Sequence, residues 1–182
     1  SYYKNQNFIT YINTYTNLFN LEEMGKYNLV NITSSFFKIG NYADIDKIHG
    51  RKVAKTIQED LNSKCIFFVQ MDIVSKSSIQ KCIDYVHKKY GKIDALVNNA
   101  YPRNKNYGKH FFDVEYDDFV ENLGSNLGGC VVSSQLFSFY FQNQGYGNIV
   151  NISSIYGVIA PKFEIYKNTS MTVPIEYAAI KS

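Results

Sequence analysis

Apolar positions along this chain fall into blocks of two kinds. In IHGRKVAKTIQEDLN (48–62), Val53, Ile57 and Leu61 recur at helical spacing and predict an amphipathic helix. CIFFVQ (65–70) is a compact apolar run just ahead of Asp72 and predicts a buried strand. SKSSIQKCIDYVHKKYG (75–91) reads as a helix. Ser75 stands at its N-cap, Ile79, Cys82, Ile83 and Val86 line one face, and Gly91 is placed to end it in the left-handed conformation. IDALV (93–97) is a second short strand. A polar, Asn- and Lys-rich loop runs on to about residue 114, residues 116–142 predict a long helix, and NIVNIS (148–153) predicts a third strand, read as central.

Strands that are apolar throughout, interleaved with helices, predict a parallel sheet covered on both faces. Right-handed crossovers make such a sheet doubly wound, so the predicted class is α/β, a doubly wound parallel sheet. Ligands of these sheets sit beyond the carboxyl ends of the strands. Asp72, the loop after Val97 and the segment after Ser153 are therefore expected to share one rim. Residues 1–41 do not follow this rhythm. SYYKNQNFITYINTYTNLFN mixes Asn, Thr and aromatics without a clear period, so 1–41 stands as an atypical, unassigned segment and 42–182 as the domain.

Composition narrows the function. A hydrophobic content of 45% in 182 residues fits one globular domain, and a net charge of +3 gives no reason to expect a nucleic-acid or membrane partner. No apolar run is long enough to span a bilayer and no signal peptide is evident. Cys65, Cys82 and Cys130 lie in apolar stretches without metal-like spacing, so reduced thiols and a cytoplasmic location are expected. His49, His87 and His110 are scattered, and no metal site is expected.

The chain closes on EYAAIKS, in which Tyr177 and Lys181 stand at i and i+4, on one face of a helix. A free tyrosine titrates near ~10 and is a poor base at neutral pH, but a nearby ammonium stabilises its phenolate. A tyrosine so tuned can exchange a proton with a hydroxyl or carbonyl oxygen. Ser153 and Ser154 end NIVNISS on the predicted rim, where a hydroxyl can hydrogen-bond a substrate oxygen or simply cap a turn. VNNAY (97–101) ends another strand with two adjacent amides able to tie neighbouring loops together. Asn126 sits in SNLGG within the long helix. Asn, Gly128 and Gly129 are poor helix formers there, which points to close approach, a bend or plain packing.

Taken together, ADID (43–46), MDI (71–73), DALVNNA (94–100), SNLGG (125–129), NIVNISS (148–154) and YAAIK (177–181) resemble, in order and placement, the short-chain dehydrogenase/reductase family. The resemblance covers roughly residues 42 to 182 and implies an incomplete, Rossmann-like sheet. It implies Tyr177 as general acid/base and Lys181 as the residue that lowers its pKa and holds the nicotinamide ribose. Ser154 would orient the reacting carbonyl, and Asn126 would anchor a water leading to the lysine. It further implies Asp44 on the adenosine ribose, Asp72 by the adenine, and Asn98 and Ala100 by the cofactor's ribose and the sheet. A carboxylate at Asp44 repels a 2′-phosphate, which favours NAD over NADP. The implied chemistry is hydride transfer between nicotinamide and a C–OH or C=O carbon of a small molecule. The implied assembly is a homo-oligomer through the helices at 116–142 and from 177. Leu136, Phe137, Phe139, Tyr140 and Phe141 are expected to make the first of these sticky.

Three departures from the family stand out. The glycine-rich turn is replaced by NLVNITSSFFKIG (28–40), with Ser34 and Lys38 where glycines belong, so the pyrophosphate site is expected to be absent or rebuilt. The sequence stops one residue after Lys181, and truncation at both ends is expected. NNAY stands where the family has NNAG, and the stretch from Ser154 to Tyr177 is long. With NAYPRNKNYGK (99–109), that stretch resembles a bacterial subgroup associated with flagellin modification and nonulosonic-acid sugars. Arg103, Lys105 and Lys109 follow a strand end and are placed to hold a substrate phosphate, or else form a solvated loop. The alternative reading is a non-catalytic relative that has lost its cofactor and serves as an interaction subunit.

Overall fold

The computed structural model describes residues 40–60, 64, 66–169 and 172–182. Expectations for residues 1–39, the replaced glycine-rich turn among them, and for Leu61 and Cys65 lie outside the described residues. The described elements run β1 (Gly40–Asp44), α1 (Lys47–Asp60), β2 (Ile66–Gln70), α2 (Lys76–Tyr90), β3 (Ala95–Asn98), α3 (Tyr116–Leu123), a π segment (Gly124–Gly128), α4 (Gly129–Gln144), β4 (Asn148–Asn151) and α5 (Ile175–Lys181).

β1 pairs parallel with β2, from Gly40 opposite Ile66 to Asp44 opposite Gln70. β3 pairs parallel with β4, from Ala95 opposite Asn148 to Asn98 opposite Asn151. Side chains alternate across these strands and assign a helix layer to each face. Tyr42, Ile66 and Val97 meet Ala54 and Ile57 of α1. Their neighbours Ala43, Val69 and Leu96 meet Ile79, Ile83 and Val86 of α2, with Phe137 and Phe141 of α4. Both strand pairs feed both clusters, which is the doubly wound, incomplete α/β arrangement that the apolar runs predict. Each fully buried Ile, Leu or Phe of these clusters contributes roughly 1.5–3 kcal/mol.

The predicted ends of α2 are as expected. Ser75 Oγ accepts the Ser78 N–H at 3.3 Å, and Gly91 at φ 77° returns its N–H to the His87 carbonyl at 2.7 Å. The predicted strand at NIVNIS differs. Among the described residues β4 pairs only with β3, and Ile149 and Val150 are half-buried rather than central. The predicted sticky face of α4 also differs. Phe137 and Phe141 are buried, and Leu136 and Tyr140 pack against the core, because the helix period of 3.6 turns all four toward α2 and the sheet. Phe139 and Val131 are the apolar side chains left outside.

Candidate functional site

The last helix and the loop after β4 are fastened to each other at one point. Gly157, in a 3₁₀ turn at Ile155–Gly157, lies so close to α5 that an added Cβ would stand 1.9 Å from the Lys181 carbonyl oxygen. Around it, Ser153 Oγ donates to that same carbonyl at 2.6 Å, and Lys181 Nζ donates to the Ile152 carbonyl at 2.6 Å. Ser154 caps the turn, its Oγ accepting the Tyr156 N–H at 3.3 Å. Ser153, Ser154, Tyr177 and Lys181 are thereby gathered on one rim.

Tyr177 packs edge-to-face on Tyr101, with ring centroids 5.6 Å apart and planes at 64°. Lys181 Nζ lies 6.0 Å from the Tyr177 ring centroid and 5.2 Å from that of Tyr101. Among the described residues no hydrogen bond ties the Tyr177 hydroxyl to Ser154 or Lys181. Burial holds the Lys181 ammonium below the usual lysine range, and the Cys130 thiol pulls weakly the other way. Tyr101 is itself pushed up, by burial first and then by its hydroxyl contact with Tyr107 at 2.7 Å. Burial pushes Tyr107 up to about 12.

Asn98 ends β3 and ties three elements. Its amide donates to Asn151 Oδ1 at 2.9 Å and to Ser134 Oγ at 2.8 Å, while its Oδ1 accepts from Ser133 at 3.0 Å. Ala100 packs against the α2–α4 core. Asn126 lies in the π segment, an irregularity that recurs at functional sites. Its amide donates to the Pro102 carbonyl and, at 3.1 Å, to that of Asn122, while its buried Oδ1 has no partner. Of the glycines beside it, only Gly129 marks a close approach: a Cβ there would meet Ile73 Cδ1 at 2.5 Å, whereas Gly128 faces open space.

Asp44 is the last residue of β1, and Asp72 lies two residues beyond the end of β2. Asp44 is buried; its Oδ2 accepts from Tyr42 Oη and its Oδ1 from the Asp46 N–H, both at 2.9 Å. Asp72 Oδ1 accepts the Val74 N–H at 3.0 Å. The basic residues of the loop stand in different surroundings. The Arg103 guanidinium carbon lies 5.9 and 5.5 Å from the Tyr101 and Tyr107 ring centroids, Lys105 is exposed, and Lys109 pairs with Asp118 at 3.1 Å. No group of three or more His, Cys, Asp and Glu able to hold a metal exists among the described residues.

Sequence reasoning passed over Tyr101, Tyr107 and Glu176. Tyr101 was visible as the odd residue of NNAY; Tyr107, in a loop without period, carried no signal. Glu176 sits fully buried beside Tyr177 with neither carboxylate oxygen partnered. A lone acid at a helix start reads as an exposed capping charge, so its burial was not legible.

Comparison with known proteins fits this geometry. Over 141 residues the chain is 43% identical to the post-translational flagellin modification protein A of Campylobacter coli, an alignment covering 77% of this chain and 55% of that protein. It is 37% identical over 83 residues to a 7alpha-hydroxysteroid dehydrogenase of Bacteroides fragilis, covering 46% of this chain and 32% of the relative. The chain thus spans about half or less of the length of these relatives. Among solved structures, a short chain dehydrogenase from Bacillus anthracis superposes with a TM-score of 0.61 at 25% identity, over 78% of this chain and 51% of that one. An NAD+-bound xylitol dehydrogenase superposes equally well, with a TM-score of 0.61 at 25% identity over 78% and 49%. The sequence profile of the short chain dehydrogenases matches residues 37–169, and with most of its length so matched the chain belongs to the short-chain dehydrogenase family.

Proposed function

We propose that this protein is an NAD-linked oxidoreductase that transfers a hydride to or from a hydroxyl- or carbonyl-bearing carbon of a sugar or sugar phosphate used in flagellin glycan synthesis. The observation that carries the reading is the fastening of α5, the helix of Tyr177 and Lys181, onto residues 152–157, the turn that Ser154 caps. The identity with the flagellin modification protein supports the flagellin context, and the sugar class rests on the resemblance of the loop and the Ser154–Tyr177 stretch to that subgroup.

The residues present suit a nicotinamide dinucleotide, which when bound supplies the hydride donor or acceptor. Asp44 ends β1 and Asp72 follows the end of the neighbouring β2, and each Asp44 oxygen, accepting one bond, keeps a second acceptor site for a ribose hydroxyl. The acid at Asp44 favours NAD over NADP. Asn98 and Ala100 lie by the cofactor's ribose and the sheet.

The chain's own groups handle the proton. Ser154 Oγ accepts from Tyr156 and keeps its hydrogen for a substrate oxygen. Tyr177 delivers a proton to that oxygen in reduction and removes one in oxidation. Lys181 places positive charge behind the phenol, stabilising the phenolate. Asn126, its amide committed to Pro102 and Asn122, keeps its buried Oδ1 for a water on the path to Lys181. Arg103 and Lys105 hold the substrate phosphate. A homo-oligomer forms through α3, α4 and α5, with Phe139 and Val131 at its centre.

The test uses full-length protein. NADH titration by fluorescence is expected to show binding at micromolar concentration, and NADH-dependent reduction of a panel of keto sugars is expected to fall about 10²-fold or more in Tyr177→Phe. Absence of NADH binding at roughly 1 mM, an affinity of only about −4 kcal/mol, refutes the reading in favour of a non-catalytic interaction subunit.

A further inference from the structure

We propose that Tyr101 is a positioning residue for the Tyr177–Lys181 pair, its ring forming the wall that holds both side chains and keeps water from the space between them. The inference rests on the reading of that pair as the proton-handling groups.

Three observations carry it. The ring touches both partners at once: Tyr177 edge-to-face at 5.6 Å, and the Lys181 ammonium 5.2 Å from the ring centroid, within cation–π range. The ring is also held from behind. Its hydroxyl meets that of Tyr107 at 2.7 Å, and the Tyr107 ring stands against it at 5.7 Å and 87°. Finally, the backbone that follows is pinned to the helix bearing Asn126. Asn126 Nδ2 donates to the Pro102 carbonyl, and the Asn104 N–H donates to Asn122 Oδ1 at 3.0 Å. A ring 8% exposed and fixed on two sides cannot swing away from α5. The usual family motif has glycine where this chain has Tyr101, and glycine has no side chain with which to form such a wall.

Among the described residues, Tyr101, Tyr177, the Cys130 thiol and the Ile152 carbonyl face Lys181. The ring face attracts the ammonium, while the water the ring displaces costs it hydration. Burial is the dominant influence on Lys181, so loss of the ring admits water and raises its proton affinity. A better hydrated ammonium couples less strongly to Tyr177.

The experiment follows the Lys181 ε-carbon by 13C NMR in full-length protein, with Lys181→Arg identifying its resonance. Tyr101→Leu is expected to raise the titration midpoint by about one unit, a tenfold change in proton affinity, and Tyr101→Phe to leave it within about 0.3 unit of the wild type. In NADH-dependent reduction, Tyr101→Leu is expected to lower kcat about 10–100-fold with KM for NADH changed less than about threefold, and Tyr101→Phe to recover most of the rate. Where Tyr101→Leu does not fold, Tyr107→Phe, which removes only the hydroxyl contact, is expected to shift the midpoint in the same direction by less. An unmoved midpoint and an unmoved kcat in Tyr101→Leu, or in Tyr107→Phe where Tyr101→Leu does not fold, overturn the proposal. The two readings fail separately. If Tyr177→Phe keeps its turnover, the oxidoreductase reading falls while a Lys181 shift still stands. If Tyr177→Phe is dead and Tyr101→Leu matches the wild type in both measurements, the wall falls alone.

Discussion

Gly157→Ala tests the point on which the site is assembled. No positive φ is involved at this glycine; space alone is at stake. An added Cβ would stand 1.9 Å from the Lys181 oxygen and 2.7 Å from its carbonyl carbon, where ordinary contact begins at 3.4 Å. Both atoms are backbone, so no side chain can swing aside, and the turn and α5 must separate by about 1.5 Å. Overpacking of this kind costs roughly 1–3 kcal/mol. The same separation breaks the Ser153–Lys181 hydrogen bond, which adds about 1 kcal/mol. A total of about 2–4 kcal/mol lowers Tm by about 5–15 °C in a protein of this size. It also carries Tyr177 and Lys181 away from Ser154, which is expected to lower kcat about 10²-fold. Thermal unfolding and NADH-dependent turnover of the full-length protein give both readouts, with Gly124→Ala as control. A Cβ at Gly124 meets nothing within 4 Å, and helix propensity then favours Ala by up to about 1 kcal/mol. If α5 lifts away locally, Tm holds and kcat alone collapses, which still reports the contact. A Gly157→Ala protein with wild-type Tm and wild-type kcat refutes the fastening outright.

Other consequences are equally open to measurement. Burial pushes the Cys82 thiol up from its ordinary 9.0 to about 12, so it stabilises the fold below pH ~9 and that contribution is lost as pH rises toward 12. Maleimide labelling read residue by residue by mass spectrometry is expected to modify half-buried Cys130 in the native protein and Cys82 only on unfolding; native labelling of Cys82 contradicts this. Asn98→Ala strips partners from Ser133, Ser134 and Asn151 together and is expected to cost about 2–4 kcal/mol in urea unfolding, against near-neutrality if those bonds are spectators. Asp44→Ala is expected to weaken NADH at least about tenfold and NADPH less, by isothermal calorimetry; equal weakening removes Asp44 from the ribose.

Much of the scaffold was legible because it rests on local rules. Ser75 and Gly91 bound α2 where capping chemistry places them, and the all-apolar strands announced helices on both faces. What escaped depends on contacts across loops. Gly128 and Gly129 look alike in SNLGG, yet only Gly129 has Ile73 against it. The aromatic run in α4 looks like an exposed stripe, yet its period turns four of the five toward the core. Tyr107 has no periodic neighbours to give it a direction, and the Tyr101–Tyr107 pair exists only because Asn104 and Asn126 fold the loop back onto α3 and the π segment.

The two halves of the rim are held by different kinds of interaction. β3, β4, α4 and α5 are joined by directional bonds running from Ser133 and Ser134 through Asn98 and Asn151, and again from Ile152 and Ser153 to Lys181. Among the described residues β1 and β2 form no hydrogen-bonded ladder with β3 and β4 and meet them through shared apolar clusters. Hydrogen bonds fix angles, whereas apolar contacts fix volume and tolerate small slides. The half carrying Tyr177 and Lys181 therefore keeps its geometry when the Asp44 half shifts. Proton transfer needs sub-ångström placement, and binding of a ribose diol tolerates more. The directional bonds lie where the proposed chemistry demands them, which is why substitutions on β1 are expected to change affinity and substitutions around Lys181 to change rate.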